Sequence, residues 1–382
     1  MISRERVEMA LNHQEADRVP IDLGGTAMSS MHIETYKKVL DYFGIEERIE
    51  FVDQFQRSVR ISKEVNDKFH GDTWLVCPKW KPWKEICKDH FIDEWGIKYY
   101  DSPDSLYWHM EEHPLAGATV ETLEDYAWPD PNDPQRMEGL EKEVKRVYED
   151  TDYAIVFGGF GFKGDLFDMP CRLRGHMNFY MDLLTNKDFI NALLGKFVKY
   201  WSALAEATLK PIGKYISAVS FNDDVGSQSG PLIAPATYRE LIKPRQKEFY
   251  AKVKECAPKA KLVLHSCGSV YQFIPDFIEI GIDALNPIQL TAKDMSDTDR
   301  LKREFGDRLT FWGGGCDTQR ILPKGSKSEI REEVKRRIKD LAPGGGFVFT
   351  PVHNIQPDVS PENICTLYDA AYEFGKYPLQ GL

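Results

Sequence analysis

Residues Leu262–Gly268 read Leu-Val-Leu-His-Ser-Cys-Gly, an apolar strand that delivers His265 and Cys267 two positions apart. In extended backbone, residues i and i+2 share a face, so the imidazole and the thiol point the same way. A following strand runs into Trp312-Gly-Gly-Gly-Cys-Asp317 and puts Cys316 just beyond its end. One imidazole and two thiolates from nearby strand ends suit Zn²⁺, which prefers N and S ligands in tetrahedral geometry. Three protein ligands leave the fourth position open, as catalysis requires. The competing reading is that these thiols are small buried hydrophobes, a frequent role of free cysteine.

Other strand ends are also polar. Asp22 closes the first apolar run, Asp53 lies in the second, and Phe221-Asn-Asp-Asp224 ends the fourth. Asn286-Pro-Ile-Gln289 ends the sixth and His353-Asn-Ile-Gln356 the eighth, with Gln319 shortly after Cys316. Singly, each is readily a cap or turn residue. Together they predict an acidic pocket around the metal. Asp53, Asp223 and His265 are its candidate catalytic groups, and Asp22, Asp224, Asn286, Gln289, Gln319 and His353 its candidate substrate contacts. Phe160, assigned to the same substrate wall, stands with Phe162, Phe221, Tyr238 and Trp312 as aromatic surface near the rim. They favour an aromatic or apolar substrate, or else fill the core.

The elements that must hold these groups recur regularly. Eight short apolar runs appear: Val19–Leu23, Phe51–Phe55, Ala154–Phe160, Ala218–Phe221, Lys261–Leu264, Ala284–Asn286, Leu309–Trp312 and Phe347–Val352. Helical patterns such as Asn186–Ala207, Pro235–Ala257 and Lys327–Leu341 separate most of them. Strands alternating with helices predict a parallel sheet. Eight such strands fit an α/β chain closed as a (β/α)₈ TIM barrel over residues 1–382, with chemistry at the strands' C-terminal ends. Residues 72–128 break the alternation and read as an antiparallel meander (Trp74–Cys77, Gly96–Tyr100, Tyr107–His113) inserted between strands two and three. Its Trp80, Trp83, Trp95 and Trp108 are either packing or part of a partner-docking rim.

Composition excludes several classes. Sixty acids against 49 bases give the 382-residue chain a formal charge of -11, which argues against nucleic acid or anionic lipid as partner. No apolar run is long enough to span a bilayer, and the N-terminus lacks the apolar core of a signal peptide. Seven sparse cysteines make a disulfide framework improbable and a reducing cytoplasm the expected compartment. Phe157-Gly-Gly-Phe-Gly-Phe-Lys-Gly164 lacks the order of a nucleotide-binding loop, and no G-x-S-x-G elbow is present.

Asp17-Arg-Val-Pro-Ile-Asp22, Asp223-Asp-Val-Gly-Ser-Gln-Ser-Gly230, His265-Ser-Cys-Gly-Ser-Val270, Asn286-Pro-Ile-Gln289, Trp312–Gln319 and His353-Asn-Ile-Gln-Pro357 together resemble the uroporphyrinogen decarboxylase superfamily. The resemblance covers nearly the whole chain and implies a (β/α)₈ barrel. It also implies one of two activities, a metal-free porphyrinogen decarboxylase or a zinc methyltransferase that works with a corrinoid protein. His265-x-Cys267 is similar to the zinc half-motif of the methyltransferases. The arginine cluster with which decarboxylases grip a polycarboxylate is reduced here to Arg18. The expected function is therefore zinc-dependent demethylation of a small methylated compound, an aryl methyl ether being one candidate. The corrinoid is expected on a separate partner, since the Asp-x-His-x-x-Gly signature is missing, and a homodimer is a further possibility. The runner-up is a metal-independent decarboxylase or lyase. In similar methyltransferases the third ligand is a cysteine after the last strand. That place here holds His353, so Cys316, one strand earlier, completes the site, or else His353 or an aspartate does.

Overall fold

The structure is a computed structural model that describes residues 1–102, 104–160 and 165–379, so Phe162 lies outside the described residues. The chain opens with helix α1 (Ser3–Leu11), then a short antiparallel pair, β1 (Phe51–Asp53) and β2 (Ser58–Val59), and then β3 (Thr73–Val76). A four-stranded antiparallel sheet follows, made of β4 (Lys84–Cys87), β5 (His90–Ile92), β6 (Lys98–Tyr100) and β7 (His109–Glu112). Strands β8 (Ala154–Phe157), β9 (Ala218–Asn222), β10 (Lys261–His265), β11 (Ala284–Asn286), β12 (Thr310–Trp312) and β13 (Phe347–Val348) then alternate with helices. Those used below are α2 (Asp168–Arg174), α3 (His176–Thr185), α4 (Lys187–Ile212) and α5 (Lys243–Cys256).

Seven of these strands form one curled parallel sheet in the order β13-β12-β11-β10-β9-β8-β3. Residues 19–22 bridge its two ends. Asp22 N donates to Phe349 O at 2.8 Å and Asp72 N to Ile21 O at 2.7 Å, with a parallel bridge between Ile21 and Phe349. The result is a TIM-barrel-like fold whose strands are buried on both faces, which is why they read as continuous apolar runs.

The barrel interior is layered by the two-residue period of its strands. Ala154, Val156, Ala218, Val263, Ala284, Trp312 and Val348 make an apolar layer, packed against Val7, Ala10 and Leu11 of α1. Arg4 N bonds Asp152 O and Gly346 N bonds Ala10 O, so α1 sits at the end where the strands begin and plugs it. Two residues further along β9, β10 and β11 lie Ser220, His265 and Asn286. The same period that buries Val263 therefore aims His265 into the upper layer. Between the layers a cavity of about 10 Å³ has room for about one water, so any substrate sits above, at the mouth.

Two sequence expectations change. Phe51–Phe55 is not the second barrel strand; that place belongs to Thr73–Val76, expected in the meander as Trp74–Cys77. Asp53 Oδ1 accepts from Phe55 N at 2.9 Å, a local turn that ends β1 after three residues and folds it back onto β2. The insertion therefore begins after Val76 rather than at residue 72. Its aromatic residues pack inward: Trp83 stacks on Tyr99 at 4.1 Å, Trp108 meets Phe91 edge-on at 5.0 Å, and Trp95 is enclosed by Trp128, Phe197, Tyr200 and Trp201. Trp95 and Trp108 are buried packing anchors, which removes them from any docking rim. Strand β4 escapes the sequence pattern because Lys84-Glu-Ile-Cys87 is exposed throughout and half charged, and β5 is only three half-buried residues.

Candidate metal centre

Three ligand-type side chains converge above the apolar layer. The ligand atoms of His265, Cys267 and His353 all lie within 4.8 Å of one another. Cys267 Sγ is 3.2 Å from His265 Nε2, and the two imidazole rings meet nearly edge-on with centroids 5.5 Å apart. His265 stands at the end of β10, in register with Asn286 of β11. Asn286 Nδ2 donates to Trp312 O at 2.8 Å, which turns its Oδ1 toward His265 Nδ1 at 2.5 Å. That acceptor places the imidazole proton on Nδ1 and leaves the Nε2 lone pair facing the thiol. His353 repeats the arrangement: its Nδ1 meets Asn354 Oδ1, and Asn354 Nδ2 is fixed by Ser58 Oγ at 2.9 Å.

The electrostatics suit neutral imidazoles. Burial lowers both histidines below their ordinary value, His353 to about 4 with the neighbouring His265 as the next cause. Burial, then Asp224 and Asp168, pushes the Cys267 thiol well up, so a bound cation must displace its proton. Asp224 Oδ1 accepts from Cys267 N at 2.6 Å and lies 3.8 Å from His265 Nε2. Two imidazoles and one thiolate, with a carboxylate beside them, form a donor set that fits zinc and leaves an open position. Because Asn286 orients the ligand, Asn286→Ala is expected to weaken zinc binding about 10–100-fold, read by competition with a chromophoric chelator. Unchanged affinity would remove Asn286 from this role.

The other sequence candidates are placed differently. Cys316 is fully buried in the apolar core, its Sγ 3.9 Å from Asp317 O, and it is not part of the ligand group. The physical reason is the preceding glycine run. Gly313 and Gly314 take positive φ (97° and 81°), and a Cβ at Gly315 would fall 2.3 Å from the Phe349 ring. The chain therefore turns flat against its neighbours and carries Cys316 behind the strand. Asp22 is a buried tie rather than a substrate contact: Oδ1 accepts from Gly25 N and Thr73 Oγ1, and Oδ2 from Trp312 Nε1. Asp223 is an internal cap. Its Oδ1 accepts from the backbone N–H groups of Asp165, Leu166, Phe167 and Asp168 and its Oδ2 from Gln246 Nε2. Phe160 is stacked on Phe221 within the core, and Gln319 is exposed on a turn capped by Asp317. Gln289 Oε1 accepts from Gly268 N at 2.6 Å and so braces the loop after Cys267. Asp53 stays at the mouth, where its charge acts on Arg172 and Tyr107.

Three neighbours escaped the sequence reading. Asn354 had a signal, an amide adjacent to a candidate ligand. Asp168 and Arg172 had none, because only the Asp223 cap brings the start of α2 to the mouth. Asp168 Oδ2 accepts from Asn222 Nδ2 at 3.1 Å, and burial followed by Asp224 raises its carboxyl well above the usual range. The Arg172 guanidinium lies 4.8 Å over the Phe55 ring.

Comparison with known proteins agrees with the fold. A methyltransferase from Methanosarcina mazei superposes with a TM-score of 0.67 over 98% of this chain and 99% of its own, at 19% identity. The uroporphyrinogen decarboxylase of Rickettsia felis is 25% identical over 283 residues, 71% of this chain and 76% of that protein. That of Pseudoalteromonas translucida is 27% identical over 172 residues, 45% of this chain and 46% of that protein. Among the described residues no helix is long and apolar enough to cross a membrane. The family model for uroporphyrinogen decarboxylase (URO-D) matches residues 106–374, from the insertion to the final helix, and the chain belongs to that family.

Proposed function

We propose that this protein is a zinc-dependent methyltransferase that removes a methyl group from a small substrate and passes it to a separate corrinoid protein. The observation that carries this reading is the convergence of His265, Cys267 and His353 at the mouth. Bound there, Zn²⁺ supplies a Lewis acid for the heteroatom that bears the methyl group. The partner's corrinoid supplies the methyl-accepting centre. Asn286 and Asn354 hold both imidazoles with Nε2 forward, and Asp224 fixes the Cys267 backbone.

Charge argues against a porphyrinogen. Arg18 is engaged at the opposite end of the barrel, where Asp72 binds it at 2.7 Å together with Arg6 at 2.6 Å. At the mouth, the charges of Asp53 and Asp224 act on Arg172. A substrate with many carboxylates meets more repulsion than attraction there.

The test pairs metal analysis with two assays. Purified protein is expected to hold about one zinc per chain and to demethylate an aryl methyl ether or methylamine-type donor only when a corrinoid protein is present. It should release no CO₂ from uroporphyrinogen. Decarboxylation by zinc-free protein would overturn the assignment.

A further inference from the structure

Arg172 stands apart from the other arginines of the chain. Among the described residues every other buried or half-buried arginine has a hydrogen bond or an ion pair, as Arg57 has with Asp101 and Arg174 with Asp182. The Arg172 guanidinium is half-buried and has neither; it lies over the Phe55 ring, 4.8 Å from its centroid.

Two chains of contacts tie this guanidinium to the ligand group. On one side, Phe55 is followed by Gln56, whose Oε1 accepts from Asn354 Nδ2 at 3.5 Å, and Asn354 Oδ1 holds His353 Nδ1. On the other, Arg172 stands one helical turn after Asp168 on α2, so the two share a face. Asp168 Oδ2 accepts from Asn222 Nδ2 at 3.1 Å and from Asp224 N at 3.4 Å, and Asp224 Oδ1 accepts from Cys267 N at 2.6 Å. Helix α2 is pinned in this place, since Asp223 caps its start and His113 Nδ1 donates to Arg172 O at 2.6 Å. One chain ends on His353 and the other on Cys267, so the wall that carries Arg172 joins both sides of the ligand group.

The acids of this wall already have partners. Asp224 holds Cys267 N, Asp168 holds Asn222, and Asp53 Oδ1 accepts from Phe55 N. The charge left without a local partner is single and positive. A guanidinium presents a planar fork of N–H donors that matches a carboxylate, and the Phe55 ring beside it offers a flat apolar face.

We propose that Arg172 is a substrate-binding residue that grips one carboxylate, so that the methylated substrate is a methoxybenzoate rather than a neutral ether or a methylamine. This rests on the methyl-transfer reading of the same site. One guanidinium accommodates one carboxylate, in keeping with the exclusion of a polycarboxylate. The carboxylate itself makes and breaks no covalent bond. The methyl–oxygen bond breaks with its electron pair left on oxygen, giving a hydroxybenzoate, and the pair for the new bond to methyl comes from the reduced corrinoid of the partner protein.

The experiment measures kcat/KM of zinc-loaded protein, with a corrinoid protein, on each ring isomer of methoxybenzoate and on the matching neutral methoxybenzamide. Wild type is expected to prefer one carboxylate isomer over its amide by about 10–100-fold, chiefly through KM. Arg172→Gln should lose that preference while it keeps its zinc and its melting temperature. Arg172→Lys retains the charge without the fork and should recover part of the preference; it carries the same comparison if Arg172→Gln fails to fold. A structural role would lower acid and amide alike. Wild type that treats the two alike, wild type that demethylates only methylamines, or an Arg172→Gln that keeps the preference overturns the proposal and leaves the methyltransferase standing. A wild type inactive on every donor, at full zinc, overturns both.

Discussion

His353→Ala and Cys267→Ser are each expected to reduce zinc from about one ion per chain to a small fraction of that, and to abolish methyl transfer. Each change removes one of three converging candidate ligands, and among the described residues no other histidine or cysteine stands in the group to replace it. Cys316→Ser is expected to keep both zinc and activity. Its Sγ lies in the apolar core, so the cost is stability: a hydroxyl buried without a good acceptor costs about 1–3 kcal/mol. Elemental analysis after dialysis against a weak chelator, beside thermal melts, separates the two outcomes. If Cys316→Ser lost its zinc while His353→Ala retained it, the geometric assignment would be reversed.

Asp223→Ala is expected to be the most damaging single change to folding, by about 3–5 kcal/mol. The carboxylate is fully buried and satisfies four successive backbone N–H groups of the loop that starts α2. Without it the N–H groups of Leu166, Phe167 and Asp168 lose this acceptor, Asp165 N keeps only Asn222 O, and Gln246 loses its contact as well. Asp223→Asn keeps one acceptor oxygen but presents an amide to Gln246 Nε2, and should cost less. The comparison decides between roles. A proton-handling residue would lose activity in the asparagine variant while the protein stayed folded, whereas a cap loses melting temperature in proportion to its broken bonds. Chemical denaturation with a constant m-value is the appropriate measurement.

The barrel was legible in the sequence because fully buried parallel strands leave an unmistakable apolar trace, as in Ala218–Asn222 or Lys261–His265. The second strand was misplaced because Phe51–Phe55 and Thr73–Val76 carry the same apolar signal. They differ only in that Asp53 closes a turn and Thr73 pairs with Ala154. Two of the candidate metal ligands were legible for a simple reason: a strand with period two puts residues 265 and 267 on one side. The third was not decidable from spacing, because three glycines after Trp312 redirect Cys316 while Val352 leads straight to His353. The acids show the same limit. Asp22, Asp223 and Asp224 look alike in one dimension, yet the first two face inward to N–H and O–H donors and only Asp224 reaches the ligands.

The plug formed by Val7, Ala10 and Leu11 has a kinetic consequence. With that end sealed among the described residues, under the proposed reaction one doorway would serve the small substrate, the demethylated product and the incoming corrinoid protein. Traffic through a single doorway imposes compulsory order: substrate loads first, the partner seats over it, and product waits until the partner lifts away. A partner that docks too early locks the empty chamber, so excess corrinoid protein should compete with substrate rather than accelerate turnover.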